Sequence, residues 1–189
     1  MTETELLVDC LKRMKQGQIR YMLTGSMVSN FWGIPRSTHD LDFVIQLAPA
    51  QVPRLLGAFE SDFYLDEASV RAAYQPPYQF NALDNRSALK VDFWMLRPVP
   101  FEREMFARRV AALLFSERAW IATAEDIILH KLYWHRITPS ERQLGDAAGV
   151  ASVQRGNLDL TYLRRWAREL EVAECLEDVL AGKIPPKTT

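Results

Sequence analysis

Carboxylates inside apolar, strand-like segments restrict the fold of this 189-residue chain more than any other feature of its sequence. Asp40 and Asp42 open the segment 40–45, and Asp92 lies within the apolar segment 89–95. β-Branched and aromatic residues predict a strand for both segments. Residues two apart leave the same face of a strand, and a buried carboxylate is unfavourable unless something neutralises it. The sequence therefore predicts that neighbouring strands bring Asp40, Asp42 and Asp92 together.

Three carboxylates at that separation cannot all stay ionised without a cation. Hard oxygen ligands of this kind suit Mg²⁺ or Mn²⁺, with water and substrate phosphates completing the coordination. The residues thus predict a divalent-metal site at Asp40, Asp42 and Asp92. The simpler alternative is that these are surface carboxylates on edge strands, facing solvent or arginine partners.

The Gly25-Ser26 pair is a second candidate site, because it separates a short buried strand at 19–23 from helical residues at 27–32. A glycine at a strand-to-helix turn lets the backbone approach a ligand closely. The N–H groups of the helix that starts there would point at an anion. The pair therefore predicts a phosphate-binding turn, and the simpler alternative is an ordinary turn with Ser26 as the helix N-cap.

The periodicity of the chain changes near residue 120, which predicts an α/β (α+β) core at 1–120 and a helical segment at 121–189. Thr2 and Thr123 are predicted N-caps of the first helix of each part. Strands are predicted at 19–23, 40–45, 78–83 and 88–95, the last two forming a hairpin around the turn 84–86. Further helices are predicted at 51–61, 68–74, 140–154, 159–170 and 172–181.

The composition excludes several classes of protein. Lys+Arg is 23 against Asp+Glu 24, a formal net charge of −1, which argues against a nucleic-acid coat protein or a polybasic membrane binder. Two cysteines cannot form a disulfide framework or an all-cysteine zinc site. No segment reaches the roughly 18–20 apolar residues that span a bilayer, and the amino terminus lacks a secretory pattern. We therefore expect a cytoplasmic protein with no membrane partner.

In this combination the motifs resemble those of the DNA polymerase β-like nucleotidyltransferase superfamily. The superfamily pattern is a strand, Gly-Gly or Gly-Ser, a gap, Asp-x-Asp and a later acid on another strand. Here Gly25-Ser26 is followed after thirteen residues by Asp40-Leu41-Asp42, and later by Asp92. The segment 36–42 is also similar to the Arg-x-Thr-x-Asp-x-Asp motif of the abortive-infection type nucleotidyltransferase toxins and their uncharacterised bacterial relatives. The resemblance extends over about residues 19–175.

The resemblance implies a nucleotidyltransferase core, a small mixed twisted sheet flanked by helices, followed by a helical carboxy-terminal segment. It implies transfer of a nucleoside monophosphate from an NTP such as ATP to an acceptor hydroxyl, with release of pyrophosphate. Asp40 and Asp42 would hold the metal on the triphosphate, and Asp92 would join them at a second metal. Ser26 and the backbone around Gly25 would hold the β- and γ-phosphates.

Three further residues are candidates for nucleotide binding. Arg36 is either a phosphate clamp or a solvated loop residue, and Thr38 is expected to orient its loop by bonding backbone near Asp40. Lys131 either neutralises nucleotide phosphate or pairs with an acid, and the resemblance places a lysine there. For Arg142 and Asp146, four residues apart, an ordinary helical ion pair is expected.

The acceptor is not readable from the sequence. Relatives of this core serve tRNA ends, a tyrosine or serine of a partner protein, and antibiotic-like small molecules. The resemblance also suggests a toxin–antitoxin or phage-defence setting with a cognate toxin or antitoxin partner. The alternative is a binding module, antitoxin or scaffold that keeps the nucleotidyltransferase fold without turnover, and a weaker one is hydrolysis or phosphorylation at the same site.

Overall fold

In the computed structural model, which describes residues 1–187, the chain divides into two units. The first unit consists of Met1–Thr24 and His39–Ile121. The second consists of Gly25–Thr38 and, among the described residues, 122–187. Each unit is therefore assembled from two separate stretches of the sequence.

Strands occur only in the first unit of the described chain, and helices occur in both. The strands are β1 (Arg20–Thr24), β2 (Leu41–Gln46), β3 (Phe63–Tyr64), β4 (Gln79–Asp84), β5 (Lys90–Met95), β6 (Val110–Leu114) and β7 (Glu117–Ile121). The helices are α1 (Glu3–Gln16), α2 (Gly25–Trp32), α3 (Val52–Phe59), α4 (Glu67–Ala72), α5 (Pro100–Arg108), α6 (Ala124–Ile137), α7 (Glu141–Val153), α8 (Leu160–Glu169) and α9 (Ala173–Leu180), and Pro49–Gln51 forms a 3-10 turn.

The first unit is built on a mixed seven-stranded sheet in the order β3-β4-β5-β2-β1-β7-β6. The central strand β2 pairs antiparallel with β1 and parallel with β5. β1 also pairs parallel with β7, while the remaining neighbours are antiparallel. This sheet confirms the predicted mixed α/β core, and the helices α6 to α9 confirm the helical carboxy-terminal segment.

One row of side chains across the sheet forms the centre of the core. Leu23, Phe43, Phe93 and Phe80 are register partners on β1, β2, β5 and β4. The Phe93 ring stacks between Phe43 and Phe80, at centroid distances of 5.7 and 5.1 Å. Phe59 of α3 meets Phe93 edge-on at 5.6 Å. Because successive residues of a strand face opposite sides, the adjacent row faces away from this aromatic core.

In the second unit α2 packs against α6 and α7, which lie about a hundred residues later in the chain. Trp32 Nε1 donates to the carbonyl of Ala122 at 2.9 Å, and Gln154 Nε2 donates to the Trp32 carbonyl at 2.8 Å. A Cβ at Gly33 would lie 2.7 Å from the backbone nitrogen of Val150. Only a glycine lets the chain pass this close to α7.

The predicted helices and strands agree with the structure except at β3 (Phe63–Tyr64) and between residues 96 and 122, where no element was predicted. Thr2 and Thr123 cap α1 and α6 as expected, and β4 and β5 form the predicted antiparallel pair. The sequence pattern did not indicate β3, α5, β6 or β7. β6 is mostly exposed despite its apolar residues, so its burial pattern lacks the alternation that marks a half-buried strand.

Of the helices formed by residues 1–187, none combines the length and apolar character that crossing a membrane requires.

Candidate active site

A polar row crosses the sheet of the first unit directly beside the aromatic row. Thr24 of β1 is the register partner of Asp42 on β2, Asp42 is the partner of Asp92 on β5, and Asn81 of β4 faces Asp92. We call these four residues the carboxylate row. Neighbouring strands lie about 4.8 Å apart, so Asp42 and Asp92 are adjacent on one face of the sheet.

Among the described residues, the Asp92 carboxylate has two partners, an exposed lysine and a neutral amide. Lys90 Nζ lies 2.9 Å from Asp92 Oδ2, and the Lys90 side chain is 51% exposed. The Asn81 side-chain nitrogen, in the orientation that satisfies both amide atoms, donates to Asp92 Oδ1. Both groups can be displaced at modest cost, because an exposed lysine exchanges a carboxylate for water with little change in free energy.

Asp42 and Thr24 form the other half of the row. Trp94 Nε1 donates to Asp42 Oδ1 at 3.4 Å, a long hydrogen bond. The Thr24 hydroxyl is buried and has no hydrogen-bond partner among the described residues. An unsatisfied buried hydroxyl costs roughly 1–3 kcal/mol, and a ligand atom at this row would remove that cost.

Asp40 stands apart from the row, because it is exposed and lies immediately before the first residue of β2. Within residues 1–187, no three histidine, cysteine or acidic side chains are arranged to hold a metal ion. The residues present fit an ion held by the pair Asp42 and Asp92 together with water and substrate phosphate, which is a usual arrangement for Mg²⁺. They do not form a ready-made cage of three carboxylates, and metal binding by Asp40, Asp42 and Asp92 stays a prediction.

The second unit contains a buried ion cluster centred on Asp146 of α7. Arg36 donates from Nε to Oδ1 at 2.7 Å and from Nη2 to Oδ2 at 2.8 Å, and Lys131 Nζ of α6 donates to Oδ2 at 2.8 Å. Arg36 Nη2 also donates to Ser26 Oγ at 2.7 Å. We call Ser26, Arg36, Lys131 and Asp146 the Asp146 cluster. The structure thus brings three predicted nucleotide-binding residues together around an acid.

The electrostatics of the Asp146 cluster favour the ionised carboxylate. Burial by itself raises the pKa of Asp146, but the hydrogen bonds and charges of Arg36 and Lys131 outweigh it and lower that pKa below its ordinary value. The side chains of Arg36, Lys131 and Asp146 are only 7%, 5% and 4% exposed. The three charges are therefore fixed in place by each other.

The turn before α2 and the loop after it complete this part of the second unit. Gly25 adopts a φ of +68°, in the left-handed region that favours glycine. Asn30 clamps the backbone of Arg36, donating from Nδ2 to its carbonyl at 2.7 Å and accepting from its N–H at 3.1 Å. Thr38 lies half-buried in the same loop.

The ion pair predicted between Arg142 and Asp146 from their four-residue spacing is wrong. The carboxylate binds Arg36 and Lys131, whereas Arg142 is exposed and makes no ion pair with it. The helix turns Asp146 toward the interior of its unit, where two cations are already buried. The i,i+4 rule describes solvent-facing pairs, so it does not apply to this side chain.

Three further polar residues were not predicted as part of the site: Thr24, Asn81 and Asn30. The alternation of β4, with Phe80 and Ala82 buried and Asn81 exposed, would have placed Asn81 on the face opposite the aromatic core. No local signal identifies Thr24 or Asn30, because their roles depend on strand register and on loop conformation.

Comparison with known proteins supports the fold. No protein-family model matches the chain, and no curated protein matches it in sequence. An antigenic nucleotidyltransferase-like protein from Paracoccidioides brasiliensis aligns over 98% of this chain and 94% of its own, with 14% identity and a TM-score of 0.55. The antibiotic-resistance factor ANT(2'')-Ia aligns over 95% of this chain and 90% of its own, with 12% identity and a TM-score of 0.51. The chain therefore has a nucleotidyltransferase fold.

Proposed function

We propose that this protein transfers a nucleoside monophosphate from an NTP to an acceptor hydroxyl and releases pyrophosphate. The observation that carries the proposal is the carboxylate row, in which Asp42 and Asp92 occupy facing positions on two parallel central strands. The nucleotidyltransferase fold and the spacing of Gly25-Ser26 from Asp40 and Asp42 support the same reaction class.

The acids would bind Mg²⁺ or Mn²⁺ through oxygen ligands, Asp40 and Asp42 toward the triphosphate and Asp92 together with them toward the acceptor. A bound divalent ion supplies charge neutralisation at the triphosphate and lowers the pKa of the attacking hydroxyl. The chain itself supplies fixed positions, because β2 and β5 hold the acids in register. No nucleophilic side chain is needed for in-line attack on the α-phosphorus.

Phosphate contacts are proposed for Gly25, Ser26, Arg36, Thr38 and Lys131 of the second unit. Gly25 places the first turn of α2 with its N–H groups unpaired within the helix. Ser26 Oγ accepts from Arg36 and can still donate its own proton to a phosphate oxygen. Asp146 holds the guanidinium of Arg36 and the ammonium of Lys131 in fixed orientations, which lowers the entropy cost of binding.

The proposal is tested by measuring pyrophosphate release from each of the four NTPs with Mg²⁺, using tRNA, protein and antibiotic-like small molecules as acceptors. We expect Asp42→Asn to lower the rate at least about 100-fold, since it removes a metal ligand and a fixed charge. Glu60→Gln, an equally conservative change at an exposed acid, should leave the rate unchanged.

The same materials separate this reaction from the alternatives. A wild-type protein that binds ATP with Mn²⁺ but turns over no acceptor would indicate a binding module, antitoxin or scaffold. Release of inorganic phosphate in place of pyrophosphate would indicate hydrolysis or phosphoryl transfer. If the wild-type and Asp42→Asn proteins both released pyrophosphate, and at equal rates, the assignment of the carboxylate row would be wrong.

The biological setting is a further part of the proposal. The likeness of residues 36–42 to the Arg-x-Thr-x-Asp-x-Asp motif favours a toxin–antitoxin or phage-defence role in the cytoplasm, with a cognate toxin or antitoxin as partner. Co-purification of the product of the neighbouring reading frame, followed by growth assays with each gene alone and with both, tests this role.

A further inference from the structure

The first unit contains a cavity of about 470 Å³ at the end of the sheet away from the carboxylate row. It lies beyond the carboxyl ends of β2 and β5, where Gln46, Leu47, Leu96 and Arg97 contribute to its wall. Asp42 is four residues from Gln46 along β2, a separation of about 13 Å. The cavity is therefore separate from the candidate active site.

The charge of the cavity wall is strongly positive. Among the described residues, the lining includes Arg20, Arg97, Arg103 and Arg109 and no acidic side chain. Arg97 is paired with Glu102 of α5. Within residues 1–187, no carboxylate lies within ion-pair distance of the other three arginines. Such a concentration of guanidinium groups is unfavourable until an anion is bound.

Two of these arginines are close enough to act on each other. Burial, and then the positive charge of Arg20, lowers the pKa of Arg109. The Nε of Arg109 is buried and has no hydrogen-bond acceptor among the described residues. The fold therefore keeps two like charges together, and the partners of Arg109 among the described residues are the Phe106 carbonyl and the rings of Phe106 and Trp120.

Aromatic rings lie close to three of the guanidinium groups. The Arg109 guanidinium lies 4.2 Å and that of Arg20 6.0 Å from the centroid of Phe106, while Arg97 lies 5.8 Å from the Tyr78 ring. Arg109 Nη1 donates to the Phe106 carbonyl, and the N–H groups of these guanidinium groups that are not used within the protein can bind an anion. Paired N–H donors match the oxygens of a phosphate.

We propose that this cavity binds a small phosphorylated organic molecule. The phosphate is held by Arg20, Arg103 and Arg109, and the organic part lies against Tyr74 and the apolar wall formed by Leu47 and other lining residues. The volume lies within the range of about 300–1,000 Å³ that is usual for small-molecule sites. The site is independent of the nucleotidyl transfer proposed above, because it shares no residue with the carboxylate row or the Asp146 cluster.

The test is calorimetric titration of the full chain in EDTA with AMP, inorganic phosphate and adenosine. We expect AMP to bind at least about 10-fold more tightly than phosphate, because of the apolar wall, and adenosine not to bind. The variant Arg20→Gln/Arg103→Gln should weaken AMP binding at least about 10-fold. Both side chains are exposed, so the variant should fold, and Arg109 is retained because it packs on Phe106.

The control is Arg54→Gln/Arg142→Gln, which removes the same net charge at two exposed positions outside the cavity. It should bind AMP as the wild type does. Backbone NMR then locates the ligand: shifts at Gln46, Leu96 and Ala107 support the proposal. Equal affinity for AMP and phosphate would assign the site to the phosphate group alone, which overturns the organic part of the proposal.

The proposal fails as a whole if neither AMP nor phosphate binds at millimolar concentration, or if both arginine double variants weaken binding equally. It also fails if AMP shifts the amides of Ser26 or Asp42 and leaves those of the cavity unchanged. None of these results bears on pyrophosphate release in the presence of Mg²⁺, so failure here and failure of the proposed function are distinguishable.

Discussion

Asp92 and Asp146 are buried to the same extent, each residue leaving 8% of its surface exposed, but their partners differ. Asp146 is held by two buried cations, Arg36 and Lys131. Asp92 is held by Lys90, which is half exposed, and by the neutral amide of Asn81. Burial alone therefore does not distinguish a structural carboxylate from one that can accept a ligand, and the mobility and charge of its partners do.

The largest expected difference is in stability. Asp146→Asn should lower the free energy of unfolding by about 3–5 kcal/mol, because it leaves two buried cations without their carboxylate. Asp92→Asn should change it by less than about 1 kcal/mol, since the partner of Asp92 returns to water. Urea denaturation followed by circular dichroism measures both values. Equal losses for the two variants would show that the partners of Asp92 are as fixed as those of Asp146.

A matched pair of lysine substitutions tests the same comparison by removing the cationic partner of each aspartate instead of the aspartate itself. Lys131→Gln should cost about 2–3 kcal/mol, because it removes a charge-assisted hydrogen bond from a buried acid. Lys90→Gln should cost less than about 1 kcal/mol. The comparison uses the same denaturation assay, and a Lys90→Gln loss as large as that of Lys131→Gln would contradict it.

The pH dependence gives the smallest and most specific effect. Arg36 and Lys131 lower the pKa of Asp146 in the folded protein, so its contribution to stability is complete above the ordinary aspartate pKa of about 4. That contribution is lost as the pH falls through the lower, folded-state pKa. The stability difference between wild type and Asp146→Asn should therefore be constant above about pH 5 and shrink in more acidic solution. A difference that grows on acidification would mean that the folded-state pKa is raised.

The sequence was sufficient for those parts of the structure that depend on local pattern. Apolar segments with β-branched residues placed Asp42 and Asp92 on strands, and the structure makes those strands neighbours. Helix caps at Thr2 and Thr123 followed from residue type alone. In both cases the information lies within a few residues, which is the range over which propensity and capping act.

Contacts between residues far apart in the chain could not be predicted from the spacing of residues in the sequence. Asp146 binds a residue 110 positions away, and no periodicity connects the two. Thr24 and Asn81 join the carboxylate row only through strand register, which depends on how whole strands align. The basic cavity likewise combines arginines from β1, from α5 and from the segments that follow β5 and α5. Because the formal net charge of the whole chain is −1, the composition gives no sign of this local positive charge.

Because α2 packs against α6 and α7, it is synthesised well before the helices that cover it. The helix leaves the ribosome early, yet Gly33 and Trp32 meet their partners only after the chain has been extended through α7. At roughly 5–20 residues per second, the intervening hundred or so residues take about 5–20 s to synthesise. During that interval the apolar side of α2 has no native surface to cover it. The nascent chain therefore has to keep this short helix from wrong associations until α6 and α7 have been synthesised.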